Sequence, residues 1–208
     1  MDFPDFFDKV PAVTLREPLA AFLGASTSGI ITYRYADAVK LAGHSCPTVA
    51  GAWLMIRNGL AALHGGELPE RGGIEVHMRD PRDEGTTGVV AAVATLVTGA
   101  APETGFGGIG PDHRFARRDL LRFDAPIHGL MALRRRDTGA GIVLDLDTAR
   151  VPPDAAMKAL FPKVAAGSAD REEQARFATL WQERVARMLL DHADDPDLVR
   201  IAAWRAAA

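Results

Sequence analysis

The most reactive side chains of the sequence lie together in the segment Gly43-His44-Ser45-Cys46-Pro47. Imidazole and thiol groups are good ligands for transition metals, and zinc in particular accepts mixed nitrogen and sulfur donors. In an extended turn, the side chains of His44 and Cys46 point to the same side, so both can reach one ion. Without a metal, the thiol of Cys46 could act as a nucleophile with His44 as its base. In a purely structural interpretation, a buried Cys46 caps a helix and His44 is satisfied within the turn.

A helix is predicted to begin at this turn. Pro47 suits the first position of a helix, where its missing N–H would have no partner in any case. Apolar residues then recur at helical spacing as far as Gly65-Gly66, which predicts a helix over residues 47–64. At the start of this helix, the helix dipole favours a thiolate at Cys46 by about 1 kcal/mol, which is too little to hold it as a thiolate. A bound metal or a cationic His44 would have to supply the remaining stabilisation of the thiolate.

Further ligands are needed, because a closed zinc site has four ligands and a catalytic site has three from the protein. Glu84 lies in a charged loop before an apolar segment, and His113 follows a glycine-rich stretch. His77 is another candidate, although a histidine on the polar face of a strand is more often solvated. Asp37 could orient His44 through a hydrogen bond from outside the coordination shell. A second copy of the chain could also supply a ligand, which predicts a homodimer.

The elements around the turn predict an α+β fold in a single domain. Asp170, followed by Glu173 three residues later, is a capping box that predicts the start of a long C-terminal helix. We expect a mixed or antiparallel sheet packed against helices. The other patterns predict a short helix over residues 35–42, a strand over 73–79, a buried helix or strand over 88–98 and a hairpin over 129–147.

Three regions are expected along the chain. Residues 1–30 are predicted to form a leader helix and a connection that pack on the body, residues 31–150 the α+β core, and residues 151–208 a helical extension. The apolar segment 88–98, and after it the last helix, are the surfaces expected to form the dimer interface.

Composition excludes several classes of protein. The 208 residues include 24 basic and 27 acidic side chains, which argues against a nucleic-acid-binding surface. No apolar run is long enough to span a membrane, and the acidic N-terminal residues do not resemble a signal peptide. The single cysteine excludes an intrachain disulfide and an all-cysteine zinc site. We therefore expect a cytoplasmic protein that contacts neither nucleic acid nor membrane.

The segment GHSCP, the helix GAWLMIRNGLAAL and the later segments GVVAAVATLVTGA and GFGGIGPDHRFARRDLL resemble the FmdE family of formylmethanofuran dehydrogenase subunits. The resemblance covers roughly residues 30–150. It implies an α+β core in which a His-x-Cys-Pro motif opens a helix, a metal or catalytic site at that motif, and a homodimer. The chain differs from the family at Thr48, where glycine is usual, and lacks the second cysteine expected near Thr87 and the acid near Val90. It also has no cysteines for the C-terminal zinc finger of some members.

The leading hypothesis is a metal-binding protein of the FmdE type, with zinc held by His44 and Cys46 and completed by Glu84 or His113. Such a protein would act on a small molecule in one-carbon or redox metabolism. One alternative is a metal-free thiol enzyme with Cys46 as nucleophile and His44 as base. Another is a non-enzymatic metal carrier or accessory protein of an oxidoreductase, so the sequence is compatible with both enzymatic and non-enzymatic functions.

Overall fold

Helices and strands alternate without a fixed order in the structure, a computed structural model that describes residues 2–205. The elements are β1 (Val13–Arg16), α1 (Pro18–Phe22), β2 (Ile30–Tyr33), α2 (Tyr35–Ala42), α3 (Pro47–His64), β3 (Ile74–Met78), α4 (Thr87–Thr98), β4 (Leu121–Arg122), β5 (Met131–Arg135), β6 (Gly141–Leu146), α5 (Ala155–Ala165), α6 (Arg171–Ala186) and β7 (Val199–Trp204). A π-helical turn, Arg187–Asp191, continues α6.

The central element is α3, whose residues from Val49 to Ile56 are all buried. A helix that is apolar on every side has to be surrounded by other elements. The sheet strands β5, β6 and β7 contact α3, and so do the helices α2 and α4. A Cβ at Gly51 would collide with the side chain of Leu146, so glycine permits the close approach of helix and sheet. No helix in residues 2–205 has the length and apolar character needed to cross a membrane.

The main sheet has five strands in the order β4-β3-β5-β6-β7. The pairs β3–β5, β5–β6 and β6–β7 are antiparallel, whereas the short β4 is parallel to β3. Leu133 and Leu144 point into the main core. On the opposite face, Ala132 and Val143 belong to a separate, smaller apolar cluster. The structure is therefore a mixed α+β domain, as predicted.

Most of the predicted elements around the turn are confirmed. The helices over 35–42 and 47–64 have the predicted bounds, and β5 and β6 form the hairpin predicted over 129–147. The segment 88–98 is helical rather than extended. The capping box is also present, since Glu173 N donates to Asp170 Oδ1 at 2.9 Å and Asp170 N donates to Glu173 Oε2 at 3.2 Å.

The two ends of the chain differ from the predictions. Instead of a leader helix, the first 30 residues contain a 3₁₀ turn (Asp5–Lys9), the five-residue α1, and β1, which pairs with β2. The leader does pack on the body, because the Phe7 ring contacts Tyr35 with a centroid separation of 4.9 Å. Near the C-terminus, α5 and β7 were not predicted. Since β7 pairs with β6, residues after 150 contribute a strand to the main sheet and are not wholly helical.

A buried ion-pair network ties the N-terminal segment to the body. Glu17 is 4% exposed, and its two carboxylate oxygens accept from Arg71 at 2.9 Å and from Arg117 at 2.5 Å. Arg117 also donates to the main-chain carbonyl of Arg71. Burial lowers the pKa of Arg117, because it removes water from the guanidinium, and the carboxylate of Glu17 offsets this loss of solvation.

Replacement of Glu17 should destabilise the fold. Glu17→Ala removes the carboxylate that neutralises the positive charges of Arg71 and Arg117. Removal of one partner from a buried ion pair typically lowers the free energy of unfolding by about 3 kcal/mol. Thermal or urea unfolding followed by circular dichroism measures the change. The exposed Glu183→Ala is the matched control and should shift the free energy of unfolding by less than about 0.5 kcal/mol. Equal stabilities of the two variants would contradict the role of this network.

Candidate functional site

The turn between α2 and α3 leaves one ring nitrogen of His44 available. Gly43 ends α2 in the left-handed conformation, with φ of 75°, and His44 follows on the surface. The Nδ1 atom of His44 lies 2.9 Å from the carbonyl oxygen of Ala42. A carbonyl oxygen can only accept, so Nδ1 carries the proton, and in the neutral ring Nε2 keeps its lone pair. Histidines that bind metals commonly have this arrangement.

Asp37 does not orient His44, contrary to the expectation from the sequence. Its carboxylate accepts from the backbone N–H of Arg34 at 2.9 Å and pairs with Lys40 at 3.5 Å, so it caps α2. The carbonyl of Ala42 fixes the His44 ring instead. Helix capping satisfies Asp37 locally, which leaves it unavailable as a partner for the turn.

Cys46 occupies the N-cap position of α3, as the sequence predicted. Its Sγ atom accepts from the backbone N–H of Val49 at 3.5 Å, and the residue is 9% exposed. The neighbouring phenol of Tyr35 is fully buried, and burial raises its pKa. Tyr35 therefore remains protonated. Cys46 combines the capping role of the structural interpretation with a position at the positive end of the helix dipole.

Ser45, the residue between the two candidate ligands, is held at both its side chain and its carbonyl. Tyr35 Oη and Ser45 Oγ are 2.9 Å apart. Trp181 Nε1 and Gln182 Nε2, both from α6, donate to the Ser45 carbonyl oxygen at 3.0 and 3.1 Å. The sequence did not predict the roles of Trp181 and Gln182, because contacts across 136 and 137 positions leave no periodic signal.

Gln182 also carries an unused acceptor at this site. Its Oε1 atom is buried and has no hydrogen-bond partner among residues 2–205. Buried polar atoms are usually paired, and an unpaired one in a native site often indicates an occupant that is not protein. The amide thus offers an acceptor for a polar group beside Ser45.

A cleft of about 390 Å³ lies where α3 and α4 begin. Thr48, two residues after Cys46, shares this cleft with Glu84 and Thr87, so the structure brings the predicted Glu84 loop to the start of α3. Glu84 is exposed, whereas Thr87 is buried at the position near which the FmdE resemblance would place a cysteine. His44 and Cys46 themselves do not line the cleft. The remaining polar lining consists of Asp80, Thr86 and Thr148.

The other two histidine candidates lie elsewhere. His113 is in the glycine-rich loop, with φ of 49°, and its Nδ1 lies 3.0 Å from the Gly107 carbonyl, which closes that loop. His77 is 7% exposed and contacts Trp204, so the expectation that it is solvated is wrong. The aromatic residue that covers His77 comes from β7, a strand that the sequence analysis did not identify.

Within residues 2–205, no three His, Cys, Asp or Glu side chains are arranged to hold a metal ion together. The structure therefore does not bring His44, Cys46, Glu84 and His113 together as one set of ligands. The donors present do not fit a closed four-ligand site. Two candidate donors remain at the turn, Nε2 of His44 and the thiol of Cys46, and a metal site built on them would need its other ligands from outside the described residues.

The predicted interface segment has little apolar surface to offer a partner. The apolar residues of α4 at Val90, Ala91, Val93, Ala94 and Val97 are buried within the chain. They contact α2, α3 and β3. A homodimer remains a prediction, but α4 has already used most of its apolar surface inside the domain.

Among proteins of known structure, the chain resembles an FmdE-like protein. No protein-family model matches the chain, and no curated protein sequence matches it. A tungsten formylmethanofuran dehydrogenase FmdE-like protein from Syntrophus aciditrophicus, with a crystal structure at 1.90 Å resolution, is 15% identical to it. The match covers 84% of this chain and 74% of the other, with a TM-score of 0.47. This likeness is too distant to establish the family.

Removal of a hydrogen bond to the Ser45 carbonyl should make the turn more mobile without unfolding the protein. Trp181→Phe keeps an aromatic ring but removes one of the two donors to the Ser45 carbonyl. We expect a loss of about 1 kcal/mol in the free energy of unfolding and faster alkylation of Cys46 by iodoacetamide. Trp204→Phe, on the other face of the sheet, is the control for loss of an indole. An alkylation rate equal to that of the wild type would contradict this role of Trp181.

Proposed function

We propose that the protein binds a divalent transition metal ion, zinc in the first instance, through His44 and Cys46. The observation that carries the proposal is the hydrogen bond between His44 Nδ1 and the Ala42 carbonyl, which leaves Nε2 free two residues before the helix-capping thiol. Imidazole and thiolate are a donor pair that suits zinc. The unpaired Oε1 of Gln182, beside the same turn, supports the presence of a polar occupant.

The adjoining cleft is the proposed site for a small polar molecule. Thr48, Thr87 and Glu84 offer hydroxyl and carboxylate groups that can orient such a molecule at the start of two helices. When bound, zinc would supply Lewis acidity, which polarises a carbonyl or similar group. The sequence resemblance to the FmdE family suggests a molecule of one-carbon or redox metabolism, handled in the cytoplasm.

Metal analysis of protein purified without a histidine tag and without chelators tests the proposal. We expect about one equivalent of zinc per chain, or per pair of chains if two chains share a site. Cys46→Ser and His44→Ala should each lose most of the metal and keep the circular dichroism spectrum, because the core does not depend on the ion. His128→Ala, an exposed histidine elsewhere, is the matched control. Less than about half an equivalent after reconstitution with zinc would refute the proposal.

A homodimer that completes the site is part of the same proposal, because one chain contributes only two donors. Light scattering across a concentration series should give about twice the chain mass of 22.3 kDa. If the two copies share the ion, Cys46→Ser should lower the mass to that of one chain. If the mass stays doubled while the metal is lost, the dimer forms without the site. A monomer with metal bound would contradict the prediction of a homodimer but would support the metal site.

A metal-free thiol enzyme is the second candidate, favoured by the hydrogen bond from Val49 N to Cys46 Sγ. Such a bond and the helix dipole both stabilise a thiolate. In protein treated with chelator, Cys46 should react with iodoacetamide at neutral pH faster than a free cysteine does, and His44→Ala should slow the reaction. Lys40→Ala, a surface cation on α2, should leave the rate unchanged. A thiol that reacts only after denaturation would exclude this function.

A further inference from the structure

A second cavity, of about 400 Å³, lies on the face of the main sheet opposite α3. Volumes of this size are typical of sites for small molecules. His77 on β3 and Trp204 at the end of β7 line it, together with Arg205 and the segment from Arg122 to Pro126. None of these residues belongs to the turn or cleft described above.

Small residues on the sheet allow the Trp204 ring to reach His77 across two strands. Trp204 pairs with Gly141 on β6, and His77 pairs with Ala132 on β5. A Cβ at Gly141 would lie 3.0 Å from the Trp204 ring, so a larger residue there would obstruct the indole. The rings of Trp204 and His77 meet edge to face with centroids 4.9 Å apart. This contact forms an aromatic wall of the cavity.

The ring of His77 is buried with an unused nitrogen. No residue in the described part of the chain forms a hydrogen bond with Nε2. The nearest acid, Glu75, is 3.6 Å away, too far for a hydrogen bond, and its carboxylate also contacts Arg134 at 3.2 Å. Burial lowers the pKa of His77, and the cations of Arg122 and Arg134 lower it further against the opposing effect of Glu75. The ring is therefore neutral at pH 7 and can donate from one nitrogen and accept at the other.

The charges around the cavity favour an anion. Arg122 and Arg205 line it, and Asp124 is its one acidic residue among those described. Within residues 2–205, neither arginine forms an ion pair. Guanidinium groups bind carboxylates well because their planar donors match the two oxygens. Phe123 adds a second aromatic side chain to the lining.

We propose that this cavity binds a small aromatic carboxylate, with its ring against Trp204 and Phe123, its carboxylate at Arg122 and a hydrogen bond to His77. Arg122 has no ion-pair partner within residues 2–205, whereas Trp204 already contacts His77 and Phe123 already contacts the guanidinium of Arg82. The ligand would therefore gain a new ion pair at Arg122 and would add its ring to contacts that the two aromatic side chains already make. The proposal is independent of the metal at His44 and Cys46, since the two sites lie on opposite sides of the sheet.

Titration calorimetry with 2-naphthoate tests the proposal on the full chain at pH 7. We expect saturable binding of one molecule with a Kd below about 1 mM. Arg122→Gln and Trp204→Ala should each weaken binding about tenfold, and His77→Gln about threefold. Arg176→Gln, an exposed arginine on α6, is the matched control and should bind as the wild type does. The neutral 2-naphthalenemethanol should bind about tenfold more weakly than the carboxylate.

A second measurement separates direct contact from loss of folding. In the wild type, nitrogen-15 NMR of the histidine rings should show a shift of the His77 signals on addition of 2-naphthoate, with the other histidines unchanged. Absence of saturable binding, or equal affinities of wild type and Arg122→Gln, would overturn the proposal. So would a doubled mass that falls to 22.3 kDa in Trp204→Ala, because this face would then be occupied by a second copy of the chain.

Discussion

The burial of α3 is the constraint on which the rest of the structure depends. From Val49 onwards, α3 is apolar on all sides for two turns and cannot face water. The main sheet, α2 and α4 are therefore arranged around it. Gly51 and Gly59 bring its backbone close to the sheet, since a side chain at either position would collide with leucines. Because the helix cannot rotate or slide without breaking this packing, its first residue has a fixed place at the edge of the core. The turn that contains His44 and Cys46 directly precedes this residue, so its position is fixed as well.

Hydrogen bonds from α2 and α6 also hold the turn. Three hydrogen bonds reach Ser45, one from Tyr35 at the start of α2 and two from α6. Each contributes about 1 kcal/mol in a typical protein, so together they can restrict a turn that contains glycine and would otherwise sample other conformations. The helices α5 and α6 bury few residues of their own, Met157 and Val185 respectively. The contact of Trp181 and Gln182 with Ser45 places α6 directly beside the candidate site.

The sequence predicted the elements whose signals are local. Gly43 and Pro47 mark the ends of two helices, and each acts through its own backbone conformation, so their effect can be read without the fold. The missed elements depend on partners. The strands β1 and β2 are four residues long, too short to show an alternation of apolar and polar residues. The side chains of β7 are mostly exposed, so its sequence gives no strand signal, and its pairing with β6 is visible only in the structure. The same distinction applies to the site: the positions of His44 and Cys46 follow from the turn, whereas two of the residues that contact Ser45, Trp181 and Gln182, come from a distant part of the chain.

The two candidate ligands are available to different degrees, and this difference decides what an incomplete site can do. His44 is exposed, and its Nε2 is already oriented by the bond to Ala42, so binding an ion costs it little rearrangement. The thiol of Cys46 is buried and accepts from Val49 at 3.5 Å. Sulfur is a weak hydrogen-bond acceptor, so an ion that reaches Sγ could replace this bond at small cost. In the proposed metal site, access to Cys46, rather than the strength of its present hydrogen bond, would therefore limit binding of the ion. The groups that govern this access are those that fix Ser45, so the affinity of the turn for an ion should depend on α6 as much as on the two ligands themselves.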